Sequence, residues 1–100
     1  MVRFVRSGRV ARGKLREARQ WAQEVTDYAN KNHPEGKLQA FSERFGDLAE
    51  VSWQADFEDL AALDQCQKSF DTDKGYWALV DKSNELFMEG SFNDTVYDTL

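Results

Sequence analysis

One hundred residues, 11.5 kDa, make a single domain with one core and leave no room to enclose a large cofactor within one subunit. A hydrophobic content of 41% with 13% aromatic residues excludes a disordered chain. The net charge of −5 and the lack of any run of about 18 apolar residues or of an apolar leader argue against a membrane span and a signal peptide.

The chain opens with a strand over residues 2–10, where Val2, Phe4 and Val10 alternate with Arg3 and Arg9 and Val5 makes the other face partly apolar. Seven of the 13 basic residues but only one of the 18 acids, Glu17, lie in residues 1–19. Arg3, Arg6, Arg9 and Arg12 resemble a nucleic-acid stripe, but the acidic remainder repels phosphate and no aromatic platform interleaves them. Nucleic-acid binding is therefore not expected. These arginines are expected to face acids on a neighbouring strand, such as Asp94 and Asp98.

Gly13 and Lys14 introduce a helix in which Leu15, Ala18, Ala22, Val25 and Ala29 repeat at three and four residues, flanked by Trp21 and Tyr28. It ends over residues 32–36, since Pro34 disfavours helix at His33. The stretch 41–63 organises the rest. A strand over 38–45 turns at Gly46-Asp47 into a strand over 51–57, where Val51, Trp53, Ala55 and Phe57 alternate with Ser52, Gln54 and Asp56. From Glu58 the period becomes helical, with Leu60 and Leu63 after an acidic start. Residues 70–75 interrupt this helix. A second segment over 76–88 carries Trp77, Val80, Asn84 and Phe87 on one face, Gly90 closes it, and a last strand covers 92–97.

The order β-α-β-β-α-β predicts an α+β, ferredoxin-like fold: a four-stranded antiparallel sheet, both helices on one face, the second broken in two. Phe4 with Val5 in the first strand, Ala40 with Phe41 in the second and Val51 with Leu48 at the third give apolar groups on both sides of the sheet. The second face is therefore expected to pair with another copy in a homodimeric barrel.

The segments GKLREARQWAQEV at 13–25, FGDLAEVSWQADFEDLAALD at 45–64 and WALVDKSNELFMEGS at 77–91 resemble the dimeric α/β-barrel superfamily, and within it NIPSNAP-like and antibiotic-biosynthesis-monooxygenase-like small proteins. The resemblance implies a homodimer with a cleft in each subunit between sheet and helices. Relatives use such clefts for cofactor-independent oxygenation, isomerisation, haem breakdown or dehydration, and the fold alone does not choose among them.

Single residues narrow the choice. His33, the only histidine, reads as a capping or surface group, so haem binding is disfavoured. No ligand spacing for a metal is present, and no cofactor is expected. Cys66, the only cysteine, permits no internal disulfide, fits a reducing cytoplasm and is assigned no chemistry. Trp53 either fills the core or walls a cleft for a flat organic ligand. A two-residue hairpin turn puts Arg44 on Trp53's face and a three-residue turn puts Glu43 there. A buried Glu43 is a candidate proton acceptor and a buried Arg44 a candidate anchor for an anion, with a salt bridge across the barrel interface as the simpler role for either. Arg6 is the expected partner of Glu43. Tyr28 and Tyr76 are core aromatics whose hydroxyls are candidates for orienting a ligand. The function expected first is that of a small cytoplasmic homodimer with a ligand-sized cleft between sheet and helices and no assigned reaction; the alternatives are a cofactor-independent monooxygenase or isomerase acting on a small aromatic or polyketide-like compound, and a structural or regulatory interaction module.

Overall fold

A computed structural model describes residues 1–46 and 49–100. The strands are β1 (Val2–Arg9), β2 (Gln39–Ser42), β3 (Glu50–Phe57) and β4 (Asn93–Asp98). The helices are α1 (Leu15–Asn32), α2 (Leu60–Asp71) and α3 (Lys74–Asp81), with one 3-10 turn at Pro34–Gly36. The sheet order is β2-β3-β1-β4, every pair antiparallel, which is the ferredoxin-like arrangement. Among the described residues, no helix is long and apolar enough to cross a membrane.

β1 and β3 pair along their whole length, from Val2 opposite Phe57 to Arg9 opposite Glu50. Residues opposite each other share a face, so Val2, Phe4, Arg6 and Gly8 lie with Phe57, Ala55, Trp53 and Val51. This is the helix side. α1 covers one half of it with Ala18, Trp21, Ala22, Val25 and Ala29, all buried; the alanines let the helix approach closely while Trp21 fills the space beside them. Trp21 meets Trp53 edge-on at 5.9 Å and Phe87 at 5.7 Å. Its Nε1–H donates to Leu79 O at 2.8 Å, which ties α1 to α3. A second cluster, Val2, Ala55, Phe57, Leu63 and Cys66, joins the other half of the sheet to α2.

The predicted break in the second helix is real. Asp59 caps α2 by accepting from Ala62 N–H at 2.9 Å, and Asp73 caps α3 by accepting from Tyr76 N–H at 3.1 Å. Several expectations need correction. α3 ends at Asp81 rather than running to residue 88. Residues 82–86 form turns, and the chain then lies against the end of β1, with Val10 bridging Phe87, Ala11 N–H on Leu86 O at 2.8 Å and Met88 N–H on Arg9 O at 2.8 Å. Phe87 thus enters the core by a strand bridge, and Gly90 (φ +72°) serves a turn instead of a helix end.

β2 stops at Ser42, shorter than the expected 38–45. The turn at Gly46-Asp47 and the apolar role given to Leu48 lie partly or wholly outside the described residues. The outer face is also more polar than expected. β1 contributes Arg3, Val5, Ser7 and Arg9, and β3 contributes Glu50, Ser52, Gln54 and Asp56. Among the described residues its apolar groups are Val5, Phe41 and Tyr97, the last two 45% and 56% exposed. Arg3 grips Asp56 there at 2.8 and 3.1 Å, and this holds the Asp56 carboxyl below the usual carboxylate range.

Candidate functional site: a cleft between sheet and helices

The two core clusters do not merge across the whole sheet. Between them a cleft of about 680 Å³ opens, with Phe4, Arg6 and Asp94 on the sheet side, Trp21, Val25 and Trp53 behind, and Leu63, Phe70, Tyr76, Trp77 and Val80 from α2 and α3 opposite. Its size suits a small organic molecule. Trp53 is both of the things expected of it: 5% exposed in the core and part of the cleft wall. The Trp53 Nε1–H donates to Thr26 Oγ1 at 3.1 Å, and Thr26 donates in turn to Ala22 O at 2.6 Å. A fully bonded indole cannot swing out without stranding a buried donor.

Phe92 stacks near Trp53 at 6.4 Å and packs on Phe87 at 4.9 Å. It has room because residue 8 is glycine: a Cβ there meets the Phe92 ring at 2.9–3.1 Å. The β1–β4 register sets Asp94 opposite Arg6. Asp94 accepts from Arg6 Nε at 2.7 Å and Nη2 at 2.9 Å, and the guanidinium lies over the Phe4 ring at 5.4 Å. The Asp94 contact raises the Arg6 pKa further, with burial opposing it and the nearby Tyr76 phenol adding a smaller push.

The sequence candidates therefore divide. Arg6, Trp53 and Tyr76 share the cleft; Glu43, Arg44 and Tyr28 do not. Ser42 pairs with Val51, the register that carries even-numbered residues onto Trp53's face. The ladder ends before Arg44 can use it, and Arg44 is exposed. The Glu43 carboxyl folds over Gly46 within the hairpin loop. Arg6 consequently pairs with Asp94, the strand partner anticipated for the N-terminal arginines, and not with Glu43.

Tyr28 serves a different cluster. The Asp73 carboxylate accepts from Tyr28 Oη at 2.6 Å, from His33 Nε2 at 2.7 Å and from Tyr76 N–H. These contacts, Tyr28's first and His33's second, lower the Asp73 pKa to about 2. His33 caps α1 through its backbone, as a capping reading requires, but its side chain is no surface group: it is 9% exposed, stacks on Phe70 at 4.0 Å and places Nδ1 2.9 Å from Ser69 Oγ. Gly75 is required here, since a side chain would collide with the Tyr28 hydroxyl. Cys66 is buried and lines the cleft, and burial pushes its thiol pKa up, away from the nucleophilic thiolate. Among the described residues no three His, Cys, Asp or Glu side chains converge as a metal site.

Phe92 and Phe70 are among the cleft formers that sequence reasoning missed. The alternation of Phe92, Asp94 and Val96 was visible; that Gly8 leaves a seat for the ring required the register.

No family model matches the sequence, and no functionally described protein matches it by sequence either. Solved structures do. Atu4242 of Agrobacterium tumefaciens, described as a NIPSNAP family protein with unknown function, superposes with a TM-score of 0.84 at 16% identity, covering 100% of this chain and 94% of that one. The fold is the NIPSNAP-like one. An uncharacterized NIPSNAP domain protein from Burkholderia xenovorans gives 0.80 at 13% identity, covering 100% and 95%. A protein described as an antibiotic biosynthesis monooxygenase gives 0.73 at 14% identity, covering 100% and 99%. At such identities the NIPSNAP-like likeness establishes architecture and carries no activity across.

Proposed function

We propose that this chain is a homodimeric small-molecule-binding protein of the cytoplasm that takes a flat organic ligand in the cleft between sheet and helices. The observation that carries the reading is the cleft itself, about 680 Å³ with aromatic walls around one oriented ion pair, Arg6 and Asp94. The uncovered outer sheet face, with Val5, Phe41 and Tyr97 among polar residues that can pair across a two-fold axis, supports the dimer. A lone buried thiol, Cys66, supports a reducing compartment.

The monooxygenase or isomerase reading is the weaker one. Glu43, its proton acceptor, lies outside the cleft, and NIPSNAP proteins of unknown function outnumber monooxygenases among the structural neighbours described above. Thermal-shift screening of flat aromatic compounds tests the binding reading. Stabilising compounds are expected, and Gln67→Trp, at an exposed lining position on α2, is expected to abolish their effect by filling the cleft. Shifts that persist in Gln67→Trp would place the ligand elsewhere. Light scattering is expected to give twice the 11.5 kDa chain mass; a persistent monomer contradicts the dimer.

A further inference from the structure

We propose that the ligand of the cleft is a flat organic monocarboxylate, anchored by the free edge of the Arg6 guanidinium and oriented by Asp94; this rests on the reading of the cleft as a ligand site. Asp94 occupies one edge of the guanidinium, Nε and Nη2, at 2.7 and 2.9 Å. The second edge, Nη1 with the remaining Nη2 proton, meets no carboxylate among the described residues, and the Tyr76 phenol is the guanidinium's other polar neighbour. A guanidinium edge is a pair of parallel N–H donors matched to the two oxygens of a carboxylate. Asp94 fixes the plane of that edge, as it has no freedom to turn while held at two points.

The charges around the cleft select the class. Its cations are Arg6 and Lys68, against Asp64, Asp71 and Asp94. Lys68 is exposed and held by Asp64 at 3.0 Å, so Arg6 is the one cation facing the interior. A cationic ligand meets Arg6 and finds the Asp94 carboxylate already taken. A phosphate dianion meets an excess of acid with a single fork to hold it. A monocarboxylate gains two charge-assisted bonds and adds one charge. The walls demand a flat apolar body behind that carboxylate: Trp53 and Phe92 lie within 21° of parallel, and Phe70 and Tyr76 face them from the helices.

The test titrates the intact protein with 2-naphthoate and with 2-naphthamide, its neutral isostere, by calorimetry. The wild type is expected to bind 2-naphthoate roughly tenfold tighter, one good charge-assisted contact's worth of discrimination. Arg6→Gln, checked for an unchanged circular dichroism spectrum, is expected to bring the two affinities together. Equal affinities in the wild type would overturn the carboxylate proposal and leave the cleft as a neutral-ligand site. Binding of neither probe would overturn the cleft reading and the proposal with it. A preference for naphthoate that survives in Arg6→Gln would overturn the role of Arg6. The wild-type ratio decides the class even where the variant fails to fold.

Discussion

Asp94 stands directly opposite Arg6 in the β1–β4 ladder and accepts from its guanidinium at two points, at 2.7 and 2.9 Å, in the wall of a largely apolar cleft. Both side chains remain partly exposed, 38% and 45%. The pair consequently adds little to stability, since solvent screens it. Asp94→Asn is expected to cost under about 1 kcal/mol in urea unfolding. Its effect belongs to binding, because an unheld guanidinium no longer presents a fixed edge. A loss of several kcal/mol would mean that the pair is structural.

Trp53 behaves in the opposite way. Trp53→Ala removes a ring that contacts Trp21, Phe87 and Phe92, with the indole N–H that bonds to Thr26, and is expected to cost about 3–5 kcal/mol by urea denaturation. Trp53→Phe keeps most of the ring and loses the bond to Thr26, so a clearly smaller loss is expected.

Gly8→Ala brings a methyl group within 2.9 Å of Phe92. Phe92 is 45% exposed and can yield, so the expected cost is at the low end for overpacking, about 1 kcal/mol. In a Phe92→Ala background that cost is expected to vanish, which a double-mutant cycle reads directly. An undiminished cost would show that the Phe92 ring is not what makes glycine necessary there.

Asp73 predicts an acid-side loss of stability. Its folded pKa, about 2, lies below the ordinary 3.8. The folded state therefore holds the ionised form more firmly than the unfolded chain does. The resulting stabilisation is fully present above about pH 4 and disappears as pH falls towards 2. Asp56, also lowered, acts in the same direction. Asp73→Asn is expected to flatten, though not erase, the pH dependence of unfolding across this window, and an unchanged slope would remove Asp73 as a cause.

Much of this architecture is legible in the chain. The alternation from Val51 to Phe57 and the three-and-four spacing from Leu15 to Ala29 each report a local geometry facing one apolar surface, so period alone reveals them. The interruption at Asp73 is legible because an N-cap is a local device. Phe87 was misplaced on a helix because a short apolar stretch does not disclose whether its backbone bonds run within a helix or to a strand far away in sequence. The capping role of His33 is legible, but the burial of its side chain is not, for a similar reason: Asp73 and Ser69, its partners, lie 40 and 36 residues away. Glu43 and Arg44 depended on how far the hairpin ladder extends, which periodicity in a polar segment cannot set.

The most direct test of the central claim is an NMR titration with 2-naphthoate that follows the indole Nε1–H of Trp53 and the Nε–H of Arg6. Saturable shifts are expected at both, with the outer-face groups Arg3 and Tyr97 unmoved. Shifts confined to the outer face, or none at Arg6, would contradict it.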